Sequence, residues 1–266
     1  MSTATIAPRT ALFLPASNAR AIEKARGLKA DMVILDLEDA VRPADKDAAR
    51  AAAVEAAGTF GGKLVAVRIN GEGTAEHGPD MVALRSAPID YVVLPKVERV
   101  KQATDAHSVM LKPVLAMIES PRGVLAATEI AAPAVVHGLI AGTNDLKAGL
   151  RIHGDGRAGL AMALQTIVLA ARAGDAWAID GVYNALKDPH GLAGECDQGR
   201  ALGFDGKSLI HPDQIDVATR AFSPREDELE EARALIAAAQ GGAERFRDRM
   251  IESMHVAQAQ ALLARG

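Results

Sequence analysis

The chain alternates short, continuously apolar segments with alanine-rich segments over most of its length, and this alternation limits the folds that it can adopt. The apolar segments cover residues 9–16, 31–39, 62–70, 91–98, 112–120, 135–146, 177–184 and 203–211. Runs that are apolar throughout are typical of parallel strands that are buried on both faces. Eight strand–helix units within about 220 residues are expected of a (β/α)₈ TIM barrel. An open doubly wound sheet fits the same alternation, and periodicity alone does not choose between the two.

The pattern changes after residue 222, which predicts a barrel over residues 1–222 and a C-terminal helical extension over 223–266. The acidic, alanine-rich segment 223–240 predicts a capped helix, which the following glycine pair ends. Residues 244–266 predict one or two further helices. An extension of this kind, placed after a completed barrel, is able to act as a lid over the open end of its own barrel or of a neighbour's.

Composition excludes several classes of protein. With a formal net charge of −4 and 3% aromatic residues, the chain lacks the basic and stacking surfaces that nucleic-acid binding requires. The N-terminus has no basic start before an apolar run, and the long apolar segment 158–174 contains polar residues, so we expect neither a secretory signal nor a membrane span. The single cysteine, Cys196, suits a reducing compartment. We therefore expect a cytoplasmic protein that binds neither nucleic acids nor membranes.

Charged and amide side chains follow the predicted strands, where parallel α/β folds gather their chemistry. In chain order they are Asp36, Glu38, Asp39, Arg68, Asn70, Lys96, Glu98, Glu119, Asn144, Asp145, Asp180 and Asn184. So many carboxylates at one rim repel each other unless a cation neutralises them. The candidate ligands are oxygen atoms, and no histidines or cysteines are spaced as metal ligands, which indicates Mg²⁺.

Glu119 and Asp145 are the predicted metal ligands, because they end consecutive predicted strands. Neighbouring strands lie about 4.8 Å apart, which lets two carboxylates share one small cation. Helix capping is the alternative role for each residue. For Glu119 the adjacent Ser120 already serves as the cap, whereas for Asp145 capping is nearly as well supported.

Arg68 ends a strand and is able to hold a substrate carboxylate through two parallel hydrogen bonds. A structural ion pair with Asp36 or Glu38 is an equally good interpretation, and both interactions can hold at once. We interpret Lys96 and Glu98 as an ion pair that orients other groups.

Two weaker features point to loops. The segment GDGRAG (154–159) fits the G-x-G-x-x-G pattern of dinucleotide-binding sites, but the residues before it are polar and broken by glycine. We therefore predict a loop there. His211 precedes a proline at a predicted strand end, and we predict a capping or loop role in preference to substrate contact.

The motifs RTALFLPAS, DLEDAV, VRIN, LPKVE, IESPRG, NDL and GFDGKSLIHPDQI occur in this order. This ordered set resembles the citrate lyase β-subunit-like branch of the HpcH/HpaI aldolase superfamily, from about residue 9 to about residue 222. The resemblance implies a (β/α)₈ barrel, usually trimeric, that binds Mg²⁺ and cleaves or forms a carbon–carbon bond beside a thioester.

The resemblance also implies a role for each matching residue. Glu119 and Asp145 match the magnesium ligands, and Arg68 matches the residue that holds the carboxylate of a 2-oxo acid. Arg9 resembles the family arginine near the thioester, and Asn144 is a further candidate for substrate contact. The residues assigned to the surroundings of the metal are the acidic cluster behind its waters and one lysine: Asp36, Glu38, Asp39 and Lys96.

The chain departs from the family pattern in its tail, where a motif that commonly reads I-D-x-P-H-V is IESMHV. Glu252 therefore replaces the aspartate that resembles the catalytic acid or base on the lid, and Met254 stands in place of the proline. A displacement of about 1 Å at a reacting centre costs about two orders of magnitude in rate. Either the backbone has adjusted to the longer side chain or this position no longer does the same chemistry.

These features together predict a Mg²⁺-dependent lyase acting on a 3-hydroxy-3-carboxyacyl thioester such as malyl-CoA or citramalyl-CoA. The expected ligands are an acyl thioester, on coenzyme A or an acyl carrier, and a 2-oxo acid, and the expected assembly is a homo-oligomer such as a trimer. Three enzymatic alternatives stay open: an aldolase acting on a free hydroxy-oxo acid, a malyl-CoA thioesterase or malate synthase-type enzyme, and a nucleotide-binding dehydrogenase. A non-catalytic subunit of a citrate lyase-like complex is a further alternative.

Overall fold

Eight parallel strands close into a barrel in a computed structural model, which describes residues 6–154 and 156–266. The strands follow one another in chain order around the barrel. Their bounds are β1 Thr10–Pro15, β2 Met32–Asp36, β3 Leu64–Arg68, β4 Tyr91–Leu94, β5 Val114–Ile118, β6 Val136–Ala141, β7 Trp177–Asp180 and β8 Gly206–Leu209. Strand β8 pairs in parallel with β1, from Thr10 opposite Lys207 to Leu12 opposite Leu209. This pairing confirms the predicted barrel and excludes the open sheet.

The barrel interior is filled by side chains from most of its strands, as in a packed core. The buried interior residues are Ala11, Met32, Ile34, Ala66, Tyr91, Val93, Leu115, Met117, Ile140 and Ile179. Tyr91 and Trp177 begin their strands and lie 5.2 Å apart, ring centre to ring centre, so aromatic rings fill the amino end. The polar residues that end the strands lie at the opposite, carboxyl end.

Helices connect the strands, and several begin at caps that the sequence encodes. Their bounds are α1 Ala19–Arg26, α2 Lys46–Ala56, α3 His77–Leu84, α4 Val100–Met110, α5 Pro121–Leu125, α6 Ala127–Ala131, α7 Thr143–Gly149, α8 Ala161–Ala173, α9 Pro189–Leu202, α10 Ile215–Phe222, α11 Glu226–Ala238 and α12 Ser253–Leu263. Ser120 accepts a hydrogen bond from the amide of Gly123 and Pro121 follows it, so the predicted cap of α5 is confirmed. Among the described residues no helix is both long enough and apolar enough to span a bilayer.

The glycine-containing segment 154–159 connects α7 to α8, and its described residues begin as a loop and enter a short 3₁₀ turn at Ala158. Asp155 lies outside the described residues. Because no strand leads directly into the segment, it lacks the strand–turn–helix context of a dinucleotide site. Arg157 from this loop instead forms a buried ion pair with Asp180, at 2.7 and 3.0 Å. This ion pair takes up Asp180, one of the strand-end acids.

The chain forms two compact units, one spanning Ala7–Ala221 and the other containing Phe222–Gly266. Within the second unit α11 is the predicted capped helix, and α12 is a further helix. The prediction of helix for the intervening residues is wrong, because β9 (Glu244–Phe246) and β10 (Arg249–Ile251) form an antiparallel hairpin. Arginines alternate there with buried Phe246, a period of two that favours a strand.

Candidate active site

A cavity of about 430 Å³ opens at the carboxyl end of the barrel. The charged and amide side chains that line it are Asp36, Asp39, Arg68, Glu119, Asn144 and Asp145. Its apolar walls include Phe13, Met117, Ala141 and Val182. The cavity therefore brings together six of the residues that sequence reasoning assigned to the site, from four different strand ends.

Arg68 is fixed by two carboxylates of the β2 end. Its Nε and Nη2 donate to the two oxygens of Asp36 at 2.7 and 2.6 Å, and its Nη1 lies 2.9 Å from Glu38 Oε2. Burial alone would lower the pKa of Arg68, but the hydrogen bonds and charge of Asp36 raise it above its usual value. The guanidinium also lies over the ring of Phe13, 5.2 Å from its centre. Asp36 occupies the Nε–Nη2 edge, and Nη1 faces Glu38 and the sulfur of Met117 at 3.9 Å, so the second N–H of Nη2 is the donor left for a ligand carboxylate.

Lys96 pairs with Glu38 and not with Glu98, so the predicted Lys96–Glu98 pair is wrong. Lys96 Nζ lies 2.8 Å from Glu38 Oε1, whereas Glu98 accepts from Ser120 Oγ at 2.7 Å. The cause is the backbone of Lys96, which turns into the left-handed region with φ of 52° directly after β4. This turn directs Lys96 toward the β2 end. Burial, as the largest cause, raises the pKa of Glu38 against the opposing influence of Arg68 and Lys96.

Glu119 is the most enclosed acid of the cavity lining after Asp36, with 3% of its surface exposed. Its Oε1 accepts a 2.6 Å hydrogen bond from the backbone amide of Lys96. Burial, followed by the negative charge of Glu38, raises the pKa of Glu119 to about 7, and the charge of Asp145 adds to this effect. Glu119 is thus a carboxylate whose surroundings favour added positive charge.

Gly142 makes room for Glu119. A Cβ atom at Gly142 would lie 2.2 Å from Glu119 Cβ and 2.5 Å from its Oε2. The φ of Gly142 is −91°, which any residue adopts, so the close approach alone requires glycine. Sequence reasoning missed this residue, although a glycine between β6 and the NDL motif was a usable signal.

Asp145 and Asn144 lie in the first turn of α7, directly after β6. Both are exposed to the cavity that Glu119 lines. Asn144 exchanges side-chain hydrogen bonds with Asn184, at 2.7 and 3.3 Å, which ties the loop after β7 to α7. The sequence places Asn184 at the end of a predicted strand but indicates no role for it.

The donor set fits a hard divalent cation. Glu119 and Asp145 line one cavity, and Asp36 and Asp39 add negative charge there, against Arg68 as the one cation among the described lining residues. Within residues 6–154 and 156–266 no three histidine, cysteine or acidic side chains form a metal-binding group. Mg²⁺ commonly takes only one or two protein carboxylates and completes its six oxygen ligands with water or substrate. Two protein carboxylates are therefore a sufficient donor set for this ion.

Arg9 is a predicted site residue that does not line the cavity. Arg9 precedes β1 and is held by Asp31, through hydrogen bonds of 3.0 and 2.8 Å from its side chain. It therefore lies at the amino end of a six-residue strand, about 20 Å from the carboxyl end. The structure does not bring Arg9 to the cavity, because the matching motif begins at the wrong end of the strand.

Glu252 belongs to the second unit, where it is the N-cap residue of α12 and its amide donates to His255 Nδ1 at 2.9 Å. Its catalytic role stays a prediction. His211 accepts a hydrogen bond from the amide of Asp213 at 3.2 Å, which confirms its predicted capping role.

A closed parallel barrel with acids and one arginine at its carboxyl end defines the class of this protein, and comparison with known families agrees. Residues 9–212 match the family described as HpcH/HpaI aldolase/citrate lyase, and the chain belongs to this family. It is 41% identical to a (3S)-malyl-CoA thioesterase of Cereibacter sphaeroides, covering 97% of this chain and 94% of the relative. It is 36% identical to a citrate lyase subunit beta-like protein of Mycobacterium tuberculosis, over 96% and 94% of the two chains.

A solved structure extends the likeness to the fold. The crystal structure of CitE from Mycobacterium tuberculosis, in complex with magnesium, acetoacetate and coenzyme A, has a TM-score of 0.83 to this chain at 35% identity. The match covers 97% of this chain and 98% of that one. The chain is therefore a member of an enzymatic family whose citrate lyase β-like relatives have been captured with magnesium.

Proposed function

We propose that the protein is a Mg²⁺-dependent carbon–carbon lyase that cleaves a 3-hydroxy-3-carboxyacyl-CoA, such as malyl-CoA or citramalyl-CoA, to a 2-oxo acid and an acyl-CoA. The observation that carries this proposal is that Glu119, Asp145 and Arg68 line one cavity. The complex of the mycobacterial relative with magnesium, acetoacetate and coenzyme A supports the ligand classes.

Arg68 binds the substrate carboxylate through its guanidinium group, while Asp36 holds the Nε–Nη2 edge of that group. Glu119 and Asp145 would hold the magnesium ion, which supplies positive charge for the hydroxyl oxygen as that oxygen becomes a carbonyl. The apolar wall formed by Phe13, Met117 and Ala141 excludes water from the reacting carbons. These residues orient the substrate with its carboxylate and hydroxyl toward the charged side of the cavity.

Cleavage requires that a base take the hydroxyl proton. The carbon–carbon bond then breaks, its electron pair passes to the thioester enolate, and a proton returns to that carbon. We propose Glu252 as the base, on the strength of the tail motif alone. The same groups serve the reverse condensation.

Hydrolysis of the thioester is the second candidate, and the 41% identity to a (3S)-malyl-CoA thioesterase favours it. In this reaction water adds to the thioester carbon, and the products are malate and free coenzyme A. The two reactions differ in their products, so one assay separates them.

The test is incubation of the purified chain with malyl-CoA and with citramalyl-CoA, in MgCl₂ or in EDTA. A lyase releases glyoxylate or pyruvate, detected as a hydrazone, and leaves the thioester of the acyl-CoA intact. A thioesterase releases free thiol, and Cys196 does not add to this signal because burial raises its pKa to about 12. Absence of both products in MgCl₂, or equal rates in EDTA, contradicts the proposal.

The free hydroxy-oxo acid aldolase is tested in the same experiment. The substrate to compare with the thioesters is a 4-hydroxy-2-oxo acid, which carries no coenzyme A. Turnover of this compound at a kcat/KM equal to that of the thioester would contradict the proposed dependence on coenzyme A.

A further inference from the structure

Lys46 does not line the cavity, but it contacts the turn that follows β2. It is the first residue of α2 and is half-buried. Its ammonium group donates to three acceptors: the carbonyl oxygens of Leu37 and Glu38, at 2.6 and 2.7 Å, and Asn70 Oδ1, at 2.6 Å. A lysine has three N–H donors, so these contacts use its full capacity. The ammonium therefore joins the turn after β2 to the end of β3.

The turn after β2 is fixed from its other side by Asp36. The Asp36 carboxylate accepts from the amides of Glu38 and Ala40, at 2.9 and 3.3 Å, while it also holds Arg68. Lys46 binds the carbonyls and Asp36 binds the amides, so the peptide units around Glu38 are held on both sides. The backbone of Glu38 sets the direction of its carboxylate, which contacts Arg68 and Lys96.

Asn70 is fixed as well, so the Lys46 contact is not free to move. Asp80, which is 1% exposed, accepts from both the amide and the Nδ2 of Asn70, at 2.9 and 2.7 Å. Arg50 Nε donates to the other oxygen of Asp80 at 2.7 Å. Side chains of α2 and α3 thereby brace these helices against the ends of β2 and β3.

We propose that Lys46 is a positioning residue for the site: by fixing the turn after β2 it directs the Glu38 carboxylate and thereby the Arg68 guanidinium that binds the 2-oxo acid. The inference rests on the proposed function. Groups that orient the residues around a metal site typically change affinity or activity 10- to 100-fold when they are removed. A role in packing alone would change stability without changing the affinity for one particular substrate.

The kinetic test compares Lys46→Met with wild type in the condensation of acetyl-CoA with glyoxylate. We expect the KM for glyoxylate to rise about tenfold or more and the KM for acetyl-CoA to stay unchanged, because Arg68 contacts only the acid. The matched control is Lys101→Met, which removes an exposed lysine that pairs with Asp105 on α4. An unchanged KM for glyoxylate in Lys46→Met, or equal rises in both KM values, overturns the proposal.

A double-mutant cycle with Glu38→Gln tests whether Lys46 acts through Glu38. If it does, the KM for glyoxylate of the double variant is no higher than that of the more severely affected single variant. If the two substitutions raise the KM for glyoxylate independently, so that their fold-changes multiply in the double variant, Lys46 does not act through Glu38.

Hydrogen exchange separates failure of the inference from failure of the proposed function. In Lys46→Met the amides of Glu38, Ala40 and Val41 should exchange faster than in wild type and in Lys101→Met, whichever reaction the protein catalyses. A wild-type protein without condensation or cleavage activity contradicts the proposed function alone. Unchanged exchange at these three amides contradicts the positioning role alone.

Discussion

The backbone amide of Lys96 donates a 2.6 Å hydrogen bond to Oε1 of Glu119. Lys96 adopts a φ of 52°, which non-glycine residues seldom adopt, and its amide, which follows β4, lies against the carboxylate that follows β5. One oxygen of Glu119 is thereby fixed, and the other is left for the cavity.

We predict that Lys96→Gly preserves Mg²⁺ affinity better than Lys96→Val. Both variants remove the ammonium group, but glycine adopts a positive φ freely, whereas a β-branched residue is strained there and moves the amide. Titration calorimetry with MgCl₂ measures the difference, and we expect valine to weaken binding about tenfold relative to glycine. Equal weakening in both variants would show that the ammonium group matters and the backbone conformation does not.

Substitution Gly142→Ala should displace Glu119, since the new Cβ would overlap the Glu119 side chain. We expect a loss of about 1–3 kcal/mol in the free energy of unfolding, together with weaker Mg²⁺ binding. Urea unfolding and calorimetry measure the two effects. Gly194→Ala is the control, because a Cβ there meets no atom within 4 Å. If Gly142→Ala matches this control in both measurements, the close approach has no consequence.

The pKa of Glu119, raised to about 7, predicts a pH dependence for metal binding. Mg²⁺ binds the charged carboxylate, so its affinity should rise with pH up to about 7 and then level off. One pH unit below the pKa about nine in ten carboxyls hold a proton, so binding at pH 6 should be about tenfold weaker than at pH 8. Calorimetry at the two pH values tests this, and a pH-independent Kd would contradict it.

The raised pKa of Glu119 also affects the free energy of unfolding of the metal-free protein. The folded protein keeps the Glu119 proton up to about pH 7, whereas the unfolded chain loses it near its ordinary value of 4.5. The folded state then binds more protons across this window, so its stability falls as pH rises from about 4.5 to 7. In EDTA, Glu119→Gln should reduce this decline, and an identical pH profile for the variant would contradict the assignment.

Lys207 is fully buried, and its ammonium group contacts Asp180, Gly181 and Glu195 at 2.7–3.0 Å. Removing one partner from such a buried cluster leaves uncompensated charge, so Lys207→Met should cost about 3–5 kcal/mol of unfolding free energy. Lys101→Met, at an exposed pair, should cost less than about 1 kcal/mol. Chemical denaturation measures both, and similar costs for the two variants would contradict a structural role of the buried cluster.

The barrel was predictable from sequence because the buried parts of its strands are apolar throughout, as in residues 32–35 and Val114–Ile118. Their carboxyl ends meet at one rim in any parallel fold, so Glu119 and Asp145 were predictable as neighbours of one cavity. The hairpin of the tail was not predicted, because the alternation of its arginines with Phe246 extends over strands of only three residues each and is too short to stand out.

The partners of charged residues depend on local backbone turns, which periodicity does not report. Lys96 pairs with Glu38 because of its left-handed turn, and Arg9 is held by Asp31 at the amino end of the barrel. Gly142 is needed only because Glu119 approaches it in space. Such contacts join residues that lie 22 or more positions apart in the chain.

The most direct test is an anomalous difference map from crystals soaked with pyruvate and with Mn²⁺ in place of Mg²⁺. The account predicts one peak in the cavity, bound to an oxygen of Glu119 and an oxygen of Asp145, with the pyruvate carboxylate on Arg68. A map without a peak there at saturating Mn²⁺, with the two carboxylates directed away from each other, would contradict the account.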